Sequence, residues 1–173
     1  MNAYNKNMKQ KSSRKGFTLI EMLIVIAIIG ILSSIVLVGL GPIQRRGRDA
    51  RRQADLRQVQ NALELYYNKC GYYPGSTAGG KIASGGCTGW TANNTWEGMS
   101  TALEGSDIGT KNIPTDPSSG ATGVKAYQYG SEDGSSYVIA AYLEDINNPS
   151  FKDSPTGKIN GIECGVPVYC IEF

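Results

Sequence analysis

Histidine is absent from this 173-residue chain. Its absence removes the usual general base, the commonest metal ligand and every histidine-dependent catalytic triad. No nucleotide motif, no G-x-S-x-G turn and no convincing nucleophile-plus-base set stands in its place. The expectation is therefore a non-enzyme with no catalytic residue, no cofactor and no metal site. Cysteine is scarce. The four that occur, Cys70, Cys87, Cys164 and Cys170, all lie beyond the long apolar run near the N-terminus. Their C-x16-C and C-x5-C spacings resemble neither zinc ligands nor a C-x-x-C redox pair, and an even number in an exported domain reads as disulfides. Three pairings are open, of which Cys70–Cys87 and Cys164–Cys170 are favoured because each closes a short loop.

Charge is missing in two informative places. The first sixteen residues hold Lys6, Lys9, Lys11, Arg14 and Lys15 but no acid. From Met22 to Leu40 there is no charge of either sign. An apolar helix of about 20 residues spans a bilayer core, so this run is long enough to cross one. The basic flank before it is a cytosolic signature. A secretory signal would place its small-residue cleavage site after the apolar core. Here the small residue, Gly16, comes before it, so a cut at Gly16 leaves the whole apolar helix on the product. Glu21 is the one acid at the entrance to the run. An acid at membrane depth is a functional hypothesis, although at a helix start it also favours the positive end of the dipole.

The residues K-G-F-T-L-I-E, from Lys15 to Glu21, followed by the apolar run, resemble the N-terminus of type IV prepilins and of the pseudopilins of type II secretion. The resemblance implies that a prepilin peptidase cuts between Gly16 and Phe17 and methylates the Phe17 amine. Glu21, the fifth residue after the cut, falls on the family's assembly glutamate and would neutralise the Phe17 amine of a neighbouring subunit. Residues 1–16 are then a leader, 17–41 the transmembrane or filament-core half of a long helix, 42–70 its outer half and 71–173 a globular head. The implied fold is α+β, with the outer half of the helix packed on a small antiparallel sheet. The implied function is a filament subunit of a type IV pilus, with a type II secretion pseudopilin as the alternative. The implied partners are copies of itself, minor pilins, the prepilin peptidase, a membrane platform protein and an assembly ATPase. The protein would be single-pass in the cytoplasmic membrane, N-terminus inside, and later part of an extracellular or periplasmic filament. A C-terminal disulfide such as Cys164–Cys170 would staple a region that many pilins also cross-link.

The inner half carries small residues, Gly30, Ser33, Ser34 and Gly39, which suit close helix packing or occur incidentally in a plain anchor. Gly41-Pro42 then predicts a kink or local melting. Beyond it, Leu56, Val59, Leu63 and Tyr66 recur at helical spacing as an amphipathic stripe. Gly71 and Pro74 mark the end, for a helix of about 50 residues and roughly 75 Å. Arg45, Arg46, Arg48, Arg51 and Arg52 form a basic cluster with Asp49 and Asp55 nearby. They bind lipid headgroups and then neighbouring subunits, or they are a solvated helix face; DNA binding is a weaker choice.

Past Pro74 the composition turns to glycine, serine and threonine. Thr95 is placed to cap a short helix with Trp96, Met99 and Leu103 on one face. Tyr127–Tyr129 and Tyr137–Leu143 read as strands joined by a loop containing Asp133-Gly134, with a third strand near Val168–Phe173. From Lys69 onward there are six bases against 11 acids, which argues against a general nucleic-acid binder. A DNA-uptake or adhesive role would use exposed bases such as Lys81 or Lys125. Asp145, Asp153 and Glu163 are candidate cation ligands spaced like ordinary surface acids. Ser118 follows the Asp116-Pro117 pair where the main secretion pseudopilin typically has an aromatic, and its acidic calcium loop has no clear counterpart. Both departures favour a pilus subunit.

Overall fold

The computed structural model describes residues 16–75, 87, 95–118 and 126–173, without the side chains of 35–40. Helix α1 runs Leu19–Cys70 and is helical without a break through Pro42, so the melting expected at Gly41-Pro42 does not occur. The chain divides into two compact units, Met1–Gly41 and Pro42–Phe173. In the first, every described side chain is exposed. Among the described residues no helix is long and apolar enough to cross a membrane. The apolar run seen in the sequence continues into residues 35–40.

The second unit is an α+β domain built on the outer part of α1. The stripe of Leu56, Val59, Leu63 and Tyr66 is fully buried. It packs with a three-stranded antiparallel sheet of order β1-β2-β5, where β1 is Gln128–Gly130, β2 Val138–Tyr142 and β5 Val168–Glu172. The register pairs Tyr129 with Ile139, and Ile139 with Ile171. Thr95 caps helix α2 (Trp96–Gly105), its hydroxyl accepting from the Gly98 N–H at 3.1 Å. Trp96, Met99, Ala102 and Leu103 of α2 are buried in the same core.

Strand β2 is apolar on both faces because both faces are covered. Ile139 and Ala141 join the main core, while Val138 and Ala140 join a second cluster with Ile162, Cys164 and Cys170. The cover on that second face is a hairpin that the sequence reading did not anticipate, β3 (Gly157–Ile159) with β4 (Ile162–Cys164). Its two-residue turn, Asn160-Gly161, has φ of 45° and 86°, as a type I′ turn requires. The turn lies against β1 so closely that a Cβ on Gly130 would collide with the Asn160 carbonyl. The two disulfides are Cys70–Cys87, from the end of α1, and Cys164–Cys170, which ties β4 to β5.

Aromatic packing closes the far end of the domain. Tyr73 meets Tyr137 edge-on at 4.6 Å between centroids and Phe173 at 5.9 Å. Both phenols donate to the Glu64 carboxylate at 3.2 Å. Burial first, and that carboxylate second, push both phenols above the ordinary tyrosine range.

Candidate functional site

Gly16, Phe17 and Thr18 precede α1 in non-helical, exposed backbone. A peptide bond there is open to a protease in a way that one inside the helix, with its amides bonded, is not. Phe17 is 80% exposed. Thr18 caps the helix reciprocally with Glu21. The Thr18 N–H and hydroxyl each donate to Glu21 Oε2 at 2.7 Å, and the Glu21 N–H donates to the Thr18 hydroxyl at 3.3 Å. This is a capping box of the S/T-x-x-E kind, which satisfies two of the amides orphaned at a helix start. T-L-I-E spells it in the sequence, where only the charge of Glu21 drew attention.

Behind this cap every described side chain from residue 19 to 34 is exposed. Leu19, Ile20, Ile26 and Ile31 are each about two-thirds or more exposed. An apolar helix face of that extent requires an apolar environment supplied from outside, whether lipid or other helices.

The arginine cluster is rearranged from the sequence reading. Arg52, expected to be on a lipid-binding or solvated face, is 1% exposed. Its guanidinium uses all of its donors. Nε and Nη2 go to the two oxygens of Asp116 at 2.7 and 3.2 Å, Nη1 to Asp49 at 2.8 Å and Glu144 at 2.9 Å, and Nη2 also to the Ser118 hydroxyl at 3.0 Å. Asp49 in turn accepts from the Glu144 and Asp145 N–H groups, both at 2.9 Å. Burial pulls the Arg52 pKa down, but its bonds to Asp116, Glu144 and Asp49 outweigh that and hold it above the usual arginine value. Arg48 bonds Glu144 through Nε at 2.7 Å and Nη2 at 2.5 Å. Those bonds, against partial burial and with help from Arg52, hold the Glu144 carboxyl down at about 2. Arg46 reaches Asp145 at 3.3 Å.

With Arg51 also 3.9 Å from Asp55, four of the five arginines are thus paired with acids of their own domain. The serine after Asp116-Pro117, which departs from the pseudopilin pattern, is part of the same network: the Ser118 N–H also donates to Asp116 at 2.7 Å. Of the candidate cation ligands, Asp145 is taken up by Arg46 and by the Asn147 N–H, which donates to it at 3.0 Å. Among the described residues no group of three or more ligating side chains could hold a metal. Lys81 and Lys125 lie outside the described residues.

A family model for the prokaryotic N-terminal methylation motif matches residues 11–37. The type II secretion system core protein G of Escherichia coli (strain K12) is 32% identical over 72 residues, 42% of this chain and 50% of that protein. The counterpart from Aeromonas hydrophila is 34% identical over 70 residues, 40% of this chain and 49% of its own length. The type IV major fimbrial protein FimA of Dichelobacter nodosus is 36% identical over 92 residues, 53% of each chain. The chain spans about half the length of the curated relatives it matches. No solved structure matches it. The methylation motif and these relatives, together with a long N-terminal helix on a small antiparallel sheet, make this chain similar to the type IV pilins and type II secretion pseudopilins.

Proposed function

We propose that this chain is a non-catalytic structural subunit of a type IV pilus-like filament. A prepilin peptidase removes residues 1–16 and methylates Phe17. Residues 17–41 hold the protein in the cytoplasmic membrane until they transfer into a filament core of like helices, leaving the heads outside. The observation that carries this reading is the coincidence of the methylation motif with a helix whose apolar side chains from Leu19 to Leu32 are all exposed. Transfer is nearly isoenergetic because lipid and neighbouring helices satisfy that surface equally. A platform protein and a separate ATPase drive it, and minor pilins complete the filament. Glu21 must share its carboxylate, since its own Thr18 amide already occupies it; the Phe17 amine of a neighbour is the additional donor.

The experiment is an intact mass of protein from sheared filaments together with N-terminal sequencing. Loss of residues 1–16, one methyl group on Phe17 and four hydrogens missing from two disulfides are expected. An intact leader on membrane-retained protein, in cells with active peptidase, would defeat the reading. A Glu21→Ala chain that assembles as well as wild type would remove the charge pairing alone. The pseudopilin alternative draws support from the relatives named as secretion core protein G. A genomic neighbourhood with a secretin and secretion platform would favour it over a pilus.

A further inference from the structure

In the unit Pro42–Phe173, six large apolar side chains are exposed among the described residues: Ile43, Leu65, Tyr67, Ile146, Val166 and Phe173. They fall into two groups. Tyr67 stacks on Tyr73, which meets Phe173, and Leu65 lies two residues back along α1, so these three mark one end of the domain. The other three mark the opposite end. Arg46, three residues past Ile43, is bonded to Asp145, the neighbour of Ile146. The Leu143 N–H donates to the Pro167 carbonyl at 2.9 Å, which brings the Val166 turn beside the same loop. Between Ile43 and Leu65 the helix advances about 33 Å at the standard rise.

Charge distinguishes this end as well. Asp49, Glu144 and Asp145 are each bonded to an arginine of α1. Arg45 is exposed and has no acid partner among the described residues. Chain connectivity then fixes what lies next to it. Ile43 follows Leu40, the last residue of the uncharged run, by three residues, which reach at most about 11 Å even when fully extended. If that run is in a bilayer, Ile43 is at the bilayer surface whatever angle the chain takes.

We propose that this end of the head rests in the headgroup layer of a phospholipid bilayer before assembly, with Ile43, Ile146 and Val166 against the upper acyl chains and Arg45 on lipid phosphate. Short apolar tips beside a free cation match the amphipathic character of that layer. The docking rests on the membrane-held precursor proposed above.

The test uses the chain beginning at Phe17, reconstituted in phospholipid nanodiscs doped with a gadolinium-chelating headgroup lipid. Amide signals of residues 145–147 and 165–166 should broaden well beyond those of loop 109–113, which lies beside Leu65. That difference should be lost in the Ile146→Ser, Val166→Ser double variant and kept in Leu65→Ser, all three being substitutions of exposed residues. Equal broadening at both ends in a chain that does insert overturns the docking and leaves the anchor standing. A chain that fails to enter the discs overturns both. Perturbation that follows the number of chains per disc, without dependence on the labelled lipid, assigns the patch to a second copy and also overturns the docking.

Discussion

Two stretches of one helix obey opposite rules. From Leu19 to Leu32 of α1, apolar side chains are exposed. From Asp49 to Tyr66, the apolar stripe is fully buried, and even a charged pair, Asp49 and Arg52, is sealed from solvent. The first stretch is completed by something outside the molecule and the second is complete in itself. An exposed apolar run and a buried arginine on the same helix are each informative alone. Together they separate the part of the chain that associates from the part that folds.

Breaking the second stretch should cost most. Arg52→Ala leaves Asp49 and Asp116 buried without their cation, and a loss of about 4 kcal/mol is expected from urea unfolding followed by tryptophan fluorescence. A loss below 1 kcal/mol would show the network to be dispensable. Leu63→Ala in the stripe should cost about 3 kcal/mol by the same measurement. Its counterpart in the first stretch, Ile26→Ala, should leave the unfolding of the head unchanged. A matching loss at Ile26 would erase the distinction.

Glu144 sharpens the contrast through pH. Its folded pKa, at about 2, lies below the ordinary carboxylate value. The stabilisation is therefore complete above the unfolded value, about 4.3, and is lost as pH falls from there toward 2. Glu144→Gln should lower stability by about 1–2 kcal/mol at pH 7 and flatten the acid limb of the profile. An unchanged acid limb would assign the loss to another carboxylate. The smallest effect belongs to the first stretch: Thr18→Ala removes one side of the capping box and should fray the start of α1 by about 1 kcal/mol. Amide exchange at residues 19–22 would report it, and unaltered exchange would mean that the cap contributes little.

What was legible in the sequence was local. The stripe at Leu56, Val59, Leu63 and Tyr66 follows from helical spacing, the cap at Thr95 from its residue type, and the sheet strands from their β-branched and aromatic runs. The arginine cluster misled because its partners are remote, Asp116 being 64 residues and Glu144 92 residues from Arg52. Counting charges along the chain sees Asp49 and Asp55 but not these. The β3–β4 hairpin is a different kind of omission. Asn160-Gly161 between Ile159 and Ile162 is a strong local turn signal. The hairpin's strands are only three residues each, yet it supplies the second cover that explains why Val138 to Ala141 does not alternate.

Four of the five bonds of Arg52, all but the one to Asp49 within α1, also have a mechanical meaning. They join α1 at one residue to two loops that approach from the side, at Asp116–Ser118 and at Glu144. A pull along the helix axis therefore loads them in shear and in parallel, so they yield together or not at all. Peeling a loop outward would instead break them in turn. The expectation is a domain that resists tension along its helix better than the lifting of its loops.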